Sequence, residues 1–484
     1  MQGGLFSRRF FLGGCASLGA LAGRRVFAAP HAALPKANLR FGVLSDVHVR
    51  NERDHDSATF KQALAYFRDH GADAVLIAGD IADRGRISEL RYAADAWYSV
   101  FPDDKAPDGR HVEKLFVYGN HDVLAWKWGR KKEELADPKL AAEAIGYTPE
   151  SIASTWESCF REKYEPIWIK EVKGYRFVGC HWGCADGLEA FMSAHAAELK
   201  GPRPFFYTQH AHPKDTCIGT WAWGHDDGTS TRVLSAFPNC VAFSGHSHYS
   251  LTDERTVWQG AFTSVNTSSL RYTSLDYNLR ENASGNSYGY KGLKSRGANG
   301  GLKIYNGRQG MLVEVGDDAL VIHRREFIWG EDLGDDWVVP IPASAGGPMN
   351  FRRRAAARKA PEFAPGAEVK ADVVSEEKGK LVEVSFPAAL PVDKCRVFEY
   401  EVAAVIVEDD VEMTVASRRV LAPDFFLPKS KCGMAGVCRF GLEELPPEAH
   451  MRFDVYPVEC FGKKGLPVSS GVLKVTAGMQ KATA

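Results

Sequence analysis

Residues 74–85 read AVLIAGDIADRG, in which five apolar residues run directly into Gly79-Asp80. A short apolar run without polar alternation is typical of a strand that is buried on both faces. Two further runs of this kind, at residues 40–44 and 115–118, also end in polar residues. We therefore predict three buried strands, each of which presents polar side chains at its C-terminal end.

Helical patterns separate these predicted strands. Residues 57–70 place Phe60, Leu64 and Phe67 on one helix face, and residues 87–100 have the same kind of spacing. Alternation of strands and helices predicts an α/β layered fold. Open α/β sheets bind ligands beyond the C-terminal ends of their strands, so the polar residues there are the candidates for a functional site.

Five short motifs carry these candidates. In chain order they are Asp46-x-His48, Gly79-Asp80-x-x-Asp83-Arg84-Gly85, Gly119-Asn120-His121-Asp122, an isolated His210 and Gly245-His246-x-His248. Each motif alone is weak, because such short combinations are common, but the ordered set is a strong signal. The two members of each Asp/His or His/His pair are two residues apart. On an extended segment this spacing directs both side chains to one side.

The residue types in these motifs favour a metal site. Carboxylate, amide and imidazole ligands without a thiolate suit Mn, Fe, Zn, Co or Ni, and they argue against copper(I) or an iron–sulfur cluster. Asp80 can bridge two metals because its carboxylate has two oxygens. The sequence therefore predicts a mixed oxygen and nitrogen site for transition metals at the strand ends.

All five motifs together resemble the calcineurin-like metallophosphoesterases, over about residues 38–330. The resemblance implies a four-layer α/β/β/α sandwich with two metal ions where the sheet ends converge. It implies that one metal is held by Asp46, His48, Asp80 and His248, and the other by Asp80, Asn120, His210 and His246. The expected cofactors are thus two transition-metal ions drawn from Mn, Fe, Zn or Co.

The resemblance also implies catalytic roles around these metals. A metal-bridging hydroxide would attack the phosphorus of a phosphate ester. His121 would contact the substrate phosphate or the leaving oxygen, Asp83 would orient His121, and Arg84 would contact the phosphate. Purple acid phosphatases, a branch of the same superfamily, carry a Tyr ligand where this chain has Asp83, so a coloured Fe(III)–tyrosinate site is not expected.

Several alternatives remain open at this stage. The fourth motif contains a second histidine, His212, although His210 lies closer to the predicted strand end. The motifs do not separate a phosphomonoesterase from a phosphodiesterase or nucleotidase. A non-catalytic scaffold on the same fold would predict missing ligands, whereas every ligand position of the pattern is filled here. Trp126, Trp128, Trp221 and Trp223 could stack a ring of the substrate, but packing beneath loops is the preferred interpretation.

The N-terminus has the features of an export signal. Residues 7–12 read SRRFFL, which resembles the twin-arginine signal, and Val26-Phe27-Ala28 offers a cleavage site after a weakly apolar stretch. We predict a signal peptide over residues 1–28 and an exported, periplasmic or extracellular protein. Loss of one of the ten cysteines with the signal leaves nine, of which Cys432 and Cys438 are close enough in sequence to close a small loop.

The chain changes character after the motifs. The Gly/Asn/Ser-rich stretch 281–310 is predicted to be a long loop over the site. Residues 342–366 contain much Pro, Ala, Gly and Arg, and residues 331–366 are predicted to be a linker. Residues 367–478 alternate between apolar and polar positions, which predicts a smaller all-β domain that resembles a fibronectin type III sandwich.

The overall composition limits the partners. The chain is 45% hydrophobic and 25% charged, with a formal net charge of −1, which gives no electrostatic footprint for nucleic acid. After the N-terminus no apolar run reaches the roughly 18 residues that a membrane span needs. We therefore expect a small phosphorylated substrate, no nucleic-acid partner and no membrane span, while protein partners stay open.

Overall fold

The structure is a computed structural model that describes residues 37–51, 55–217, 226–275, 302–304, 307–344, 346–376, 379–391, 395–408 and 411–476. The predicted signal peptide, Trp221, Trp223 and most of the stretch 281–310 lie outside the described residues. None of the helices in the described ranges is long and apolar enough to cross a bilayer.

Strands and helices alternate through the first part of the chain. The strands are β1 (Leu39–Leu44), β2 (Ala74–Ala78), β3 (Glu113–Val117), β4 (Ile167–Val172), β5 (Tyr175–Cys180), β6 (Phe205–Thr208), β7 (Cys240–Ser244), β8 (Val257–Gln259), β9 (Thr263–Asn266), β10 (Thr273–Leu275), β11 (Leu302–Ile304), β12 (Gln309–Val315), β13 (Ala319–Glu326), β14 (Glu331–Asp332) and β15 (Trp337–Pro340). The helices are α1 (His55–Asp69), α2 (Ile87–Val100), α3 (Asn120–Leu124), α4 (Lys132–Leu135), α5 (Pro138–Glu143), α6 (Pro149–Phe160), α7 (Leu188–Ala194), α8 (Ala196–Leu199), α9 (Thr229–Leu234) and α10 (Phe351–Ala357). The three strands and two helices predicted from residues 40–118 are confirmed.

Two mixed sheets form the centre of this part. The first has the strand order β14-β13-β12-β1-β2-β3, with β15 also paired to β13, and β1, β2 and β3 run parallel. The second has the order β4-β5-β6-β7-β9-β8, and β5, β6, β7 and β9 run parallel. In each sheet the parallel strands deliver their C-terminal ends to one edge.

The two sheets pack face to face through aromatic side chains. The ring of Phe41 on β1 lies 5.3 Å from Phe177, 4.9 Å from Phe206 and 5.8 Å from Phe243, all on the second sheet. Helices α1, α2 and α6 cover the outer face of the first sheet, and α7 and α9 cover that of the second. The predicted four-layer α/β/β/α sandwich is confirmed.

The C-terminal part is all-β, as predicted. Its strands are β16 (Lys370–Glu376), β17 (Gly379–Phe386), β18 (Val397–Glu408), β19 (Val411–Leu421), β20 (Gly436–Gly441), β21 (His450–Glu459), β22 (Val468–Ser469) and β23 (Leu473–Lys474). They form an antiparallel sheet β16-β17-β20 and a second antiparallel sheet β19-β18-β21-β22, with β23 paired to β21. One apolar core, which contains Val384, Phe440, Val402 and Phe453, joins the two sheets.

The segment predicted to be a linker, residues 331–366, is folded. Strand β15 pairs with β13 and so extends the first sheet beyond residue 330. Helix α10 carries Arg354, whose buried side chain donates hydrogen bonds to the carbonyl oxygens of Glu254, at 2.6 Å, and Val257. The Pro, Ala and Arg content of this segment suggested an exposed linker. Arg354, however, is buried and donates hydrogen bonds to backbone carbonyls inside the protein.

The β-sandwich packs closely against the α/β part. The Arg396 side chain donates to the carbonyl oxygen of Leu333, and Gln309 Nε2 donates to that of Phe426 at 3.2 Å. The guanidinium group of Arg255 lies 4.8 Å from the centre of the Phe398 ring. Tyr249, which follows the last of the five motifs, is buried in the core of the sandwich.

The cysteines are all reduced among the described residues. The small loop predicted between Cys432 and Cys438 is not closed, because Cys432 is exposed whereas Cys438 is buried on β20. Cys395 and Cys460 lie closer together, with 3.7 Å between their sulfur atoms.

Candidate metal centre

The five motifs converge where the C-terminal ends of the parallel strands meet. Asp46 and His48 follow β1, Asp80 follows β2, Asn120 and His121 open α3 after β3, His210 follows β6, and His246 and His248 follow β7. The site therefore takes ligands from both sheets, and every strand that supplies one is buried in the central layers.

The backbone at this site is unusual. Asp46, His48, Asp80, His246 and His248 all have positive φ angles, of 51°, 52°, 53°, 71° and 57°. The prediction that each pair lies on an extended segment is therefore wrong. Left-handed backbone in residues other than glycine costs roughly 1–3 kcal/mol each and persists only where surrounding structure holds it, commonly at functional sites.

Hydrogen bonds between neighbouring loops hold this backbone. Asp46 N donates to Gly79 O at 3.0 Å and His48 N donates to Asp80 O at 2.9 Å. Gly245 lets the loop after β7 approach the loop after β1, because a Cβ there would lie 1.8 Å from Ser45 Oγ and 2.4 Å from Asp46 Oδ2. The curled loops bring the side chains together although the segments are not extended.

The ligand candidates form two adjacent groups. In the first, His248 Nε2 lies 2.9 Å from Asp46 Oδ1 and 3.4 Å from His48 Nε2. In the second, His210 Nε2 lies 3.0 Å from Asp80 Oδ2 and 3.1 Å from His246 Nδ1. Each group brings three ligand atoms within 4.8 Å of one another.

Asp80 lies between the two groups. Its Oδ2 atom is 3.9 Å from His48 Nε2 in the first group as well as 3.0 Å from His210 Nε2 in the second. Its other oxygen, Oδ1, accepts a hydrogen bond from His121 N at 2.8 Å. The position of Asp80 is the one that a ligand shared by two metals requires.

The residues present fit metal ions. Asn120 Oδ1 and Asp46 Oδ1 are buried oxygen atoms with no hydrogen-bond donor among the residues that the structure describes. A buried acceptor without a partner is costly in a folded protein, and a cation would satisfy it. The surrounding ligands are carboxylate, amide and imidazole groups, the set that suits divalent and trivalent transition metals.

The electrostatics agree with a site for positive charge. Burial alone would raise the pKa of Asp46 and Asp80, but the nearby histidines outweigh it and hold both pKa values below the ordinary range. Burial opposes protonation of His210, yet Asp80 and then Asp46 raise its pKa to about 9. The carboxylates thus stay ionised and draw positive charge into a buried site, which a metal would supply in place of protons.

Second ring nitrogens orient two of the histidines. His210 Nδ1 lies 2.7 Å from Ala78 O, and His248 Nδ1 lies 2.9 Å from Tyr272 O. A carbonyl can only accept, so Nδ1 carries the proton in each ring. The Nε2 lone pair is then available for a metal, as is usual for histidine ligands.

His210 and His212 differ in what their ring nitrogens contact. Both nitrogens of His212 are occupied by hydroxyl groups, with Nδ1 2.7 Å from Ser244 Oγ and Nε2 2.7 Å from Ser247 Oγ. Burial lowers the pKa of His212 to about 3. His210, in contrast, directs Nε2 to Asp80, so His210 is the one of the two that lies in the ligand group.

The structure also tests the three residues predicted to be catalytic. His121 is half-buried, and its Nδ1 lies 2.6 Å from the main-chain oxygen of Asp83. The carboxylate of Asp83 lies instead 3.3 Å from His48 Nδ1 and 2.7 Å from Arg50 Nε, and it also pairs with Arg271. Asp83 thus contacts His121, as the resemblance implied, but through its main-chain carbonyl oxygen and not through its carboxylate.

Arg84, the arginine that the resemblance implies for phosphate contact, lies at the protein surface. Its side chain is 59% exposed, and its Nε atom is 3.8 Å from Asp83 Oδ2. Arg50 and Arg271 are the arginines that contact Asp83 most closely, and sequence reasoning missed both because each lies outside the five motifs. Arg84 instead borders a cavity beyond His121.

Asp122 is a further residue whose role the sequence did not reveal. Its buried carboxylate accepts hydrogen bonds from Gly119 N at 2.7 Å and from Ala82 N at 2.6 Å, and so ties the loop after β2 to the loop after β3. The one indication in the sequence that Asp122 has a role at the site was its position in the Gly-Asn-His-Asp motif. His181 is buried against Trp156, and burial lowers its pKa to about 3.

Comparison with known protein families points to the same part of the chain as the fold and the two ligand groups. Residues 39–250 match the family model for calcineurin-like phosphoesterases. The matched residues include all the ligand candidates of the two groups described above. A search of curated proteins found no match.

Several solved structures resemble the chain at low sequence identity. A dimetal phosphatase from Danio rerio is 11% identical, with a TM-score of 0.35 over 63% of this chain and 99% of that one. Purple acid phosphatase PPD1 from yellow lupin is 11% identical, with a TM-score of 0.35 over 62% of this chain and 53% of that one. GAP50, the anchor in the inner membrane complex of Plasmodium, is 10% identical, with a TM-score of 0.34 over 67% of this chain and 96% of that one.

Proposed function

We propose that this protein hydrolyses a phosphate ester with two metal ions held side by side. The observation that carries the proposal is the pair of buried ligand groups that meet at Asp80. The proposed ligands of one ion are Asp46, His48, Asp80 and His248, and those of the other are Asp80, Asn120, His210 and His246. When bound, such a pair of ions supplies a hydroxide nucleophile near neutral pH and offsets negative charge on the phosphoryl oxygens.

His121 is proposed to act on the leaving group. Its Nδ1 is held by the Asp83 carbonyl, and its ring lies 4.5 Å from that of His48, beside the first ligand group. The Asp83 carbonyl contacts Nδ1 and not Nε2. A protonated His121 can therefore donate the proton on Nε2 to the departing oxygen. The main-chain N–H of His121 donates a hydrogen bond to Asp80 Oδ1, which holds His121 next to the carboxylate that is proposed to serve both ions.

Metal analysis combined with hydrolysis assays tests this function. Purified protein is assayed for bound metal, and hydrolysis of para-nitrophenyl phosphate and bis(para-nitrophenyl) phosphate is followed with Mn, Fe, Zn or Co added in turn. Two metals per chain with turnover of either compound supports the proposal, and the ratio of the two rates separates a monoesterase from a diesterase. Protein that binds no metal and hydrolyses neither compound overturns it in favour of a scaffold role.

We also propose that the protein is exported by the twin-arginine route, because residues 7–12 resemble its signal and Val26-Phe27-Ala28 offers a cleavage site. Replacement of both Arg8 and Arg9 by lysine should keep the protein in the cytoplasm. The N-terminus of the exported protein should be Ala29, which N-terminal sequencing checks. Export of the double variant at the normal level would refute this route.

A further inference from the structure

A cavity of about 300 Å³ lies outside the two ligand groups and is lined by an unusual set of side chains. It is bordered by three arginines, two tryptophans and one carboxylate: Arg84, Arg86, Arg130, Trp126, Trp128 and Glu143. The proposed metal site and His121 account for none of these residues except Arg84. An excess of positive charge beside aromatic rings suits a ligand that is both anionic and flat.

The cavity adjoins His121. The ring of Trp128 meets the ring of His121 edge to face, with 4.7 Å between their centres. His121 in turn lies 4.5 Å from His48, which belongs to the first ligand group. His121 is thus in contact with both the metal-ligand candidate His48 and Trp128, and Trp128 borders the cavity. A leaving group that departs past His121 would enter this cavity.

The arginines at the cavity are available to a ligand. Arg86 and Arg130 form no ion pair with any residue in the part of the chain that the structure describes. Glu89, the buried carboxylate beneath them, is already engaged with backbone, because it accepts hydrogen bonds from Arg84 N at 2.8 Å and Arg86 N at 3.2 Å. Glu143 on α5 is exposed and is the one carboxylate among the described residues of the cavity wall.

The walls of the cavity are also held in place. Gly85 separates two of the arginines, and a Cβ there would lie 2.8 Å from Asp122 O, so the loop is pressed against α3. Ile145 N donates to Gly85 O at 2.9 Å, which fixes the opposite wall. Arg130 Nε donates to Trp126 O at 2.8 Å. A site whose walls are fixed before binding loses less conformational entropy on binding.

Trp128 shows that the aromatic wall faces solvent. Its side chain is 47% exposed, whereas the sequence-based interpretation favoured burial beneath a loop. Trp126 is partly buried, and its indole N–H donates to Val123 O at 3.1 Å. An exposed indole at the mouth of an arginine-lined cavity offers a surface on which a flat ring can stack.

We propose that this cavity binds the leaving group of the substrate and selects phosphate esters in which that group carries a flat ring and a second negative charge. The proposal rests on the phosphoesterase function proposed above. Arg86 and Arg130 bind the second anion, and Trp128 packs against the ring. The class covers aryl or heteroaryl phosphates with a further carboxylate or phosphate.

A matched set of substrates tests this proposal on the metal-loaded, full-length protein. Phenyl phosphate lacks the second anion, para-carboxyphenyl phosphate has it, and para-carbamoylphenyl phosphate is its neutral counterpart of equal shape. We expect kcat/KM to be highest for the carboxylate compound. Arg86→Gln and Arg130→Gln should each reduce that preference about tenfold, the scale of one charge-assisted hydrogen bond, and should leave phenyl phosphate turnover nearly unchanged.

Arg91→Gln is the matched control, because Arg91 is exposed on α2 and does not line the cavity. The control should keep the full preference for the carboxylate compound. Equal kcat/KM for the three substrates, or a preference that survives both cavity variants, would overturn the subsite while the phosphoesterase function stands.

A binding measurement covers the case in which none of the three compounds is hydrolysed, which would count against the proposed function itself. Calorimetry then compares para-carboxybenzyl phosphonate with benzyl phosphonate, neither of which can be hydrolysed. Tighter binding of the carboxylate compound that Arg86→Gln abolishes supports the cavity as a subsite, and equal binding of the two phosphonates overturns it.

Discussion

The two main parts of this molecule bury different kinds of side chain. The α/β part buries Asp46, His48, Asp80, His210 and His246 at its strand ends, most of them on left-handed backbone. The β-sandwich fills its core largely with apolar and aromatic residues such as Val402 and Phe453. The first arrangement is unfavourable until a cation satisfies it, whereas the second stabilises the fold directly. Substitutions in the two parts should therefore fail in different ways.

The sharpest test of this contrast is Asp80→Asn. Loss of the charge that serves both ligand groups should remove metal from the site and reduce turnover by about a thousandfold or more. Metal analysis and phosphate release measure both effects. Asp454→Asn is the control, because Asp454 is a buried carboxylate on β21 that pairs with Arg452 at 2.8 Å. A variant at position 80 that keeps two metals would remove the shared-ligand role.

His121→Ala should separate chemistry from metal binding. Turnover should fall by about 10²–10⁴-fold, the usual range for loss of a general acid, while metal content stays at the wild-type value. The two quantities are measured on the same preparation. Full activity in this variant would exclude His121 from the reaction.

The prediction for the β-sandwich is a loss of stability with no loss of intrinsic metal affinity. Phe453 is fully buried on β21, with its ring 5.5 Å from that of Phe440. Phe453→Ala should lower the free energy of unfolding by about 3–5 kcal/mol, as expected for removal of a buried aromatic side chain. Urea unfolding measures the loss, and metal titration below the transition gives the affinity. An undiminished free energy of unfolding would show that this core contributes little.

Glu326 sharpens the comparison, because it is a buried carboxyl group in the α/β part outside the site. Its side chain accepts hydrogen bonds from Arg308 N at 2.9 Å and Ile328 N at 3.0 Å. Burial nevertheless raises its pKa from 4.5 to about 8. The folded state therefore holds a proton that the unfolded state releases, so the stabilisation is complete below about pH 4.5 and is lost as the pH rises to about 8.

Measurement of unfolding free energy across this range checks the prediction. Wild-type protein should lose on the order of a few kcal/mol from this group between about pH 4.5 and 8, and Glu326→Gln should flatten the curve over the same interval. Curves of equal slope for the two proteins would assign the pH dependence to other groups.

Much of the fold and the site could be predicted from sequence, for identifiable reasons. Buried parallel strands such as β2 consist of short apolar runs, which the sequence pattern predicts directly. The polar residues that follow each run are then easy to identify as site candidates. The layered fold and the convergence of the motifs followed from that pattern. The sequence favoured His210 over His212 because His210 lies closer to the predicted strand end. It could not show that hydroxyl groups of other segments, those of Ser244 and Ser247, occupy both nitrogens of His212.

What escaped prediction depends on contacts between distant segments or on backbone angles. Arg271 meets Asp83 across 188 positions of sequence, which no local pattern encodes. The left-handed backbone of Asp46 and His248 is likewise invisible to spacing, since the loops around them impose it. Residues 331–366 read as a linker because composition does not show that Arg354 is buried.

The place of Tyr249 gives the boundary between the two parts a further meaning. Tyr249 directly follows His248 and is packed into the core of the β-sandwich. A proposed metal ligand and an anchor of the neighbouring domain thus share one peptide unit. We expect that truncation near Gly346 would expose the side chain of Tyr249 and remove the packing that holds the loop with His248 in place. We therefore expect that the β-sandwich cannot be exchanged freely. A fusion protein that replaces it with another domain should keep the α/β part intact only if the new domain also buries the Tyr249 side chain.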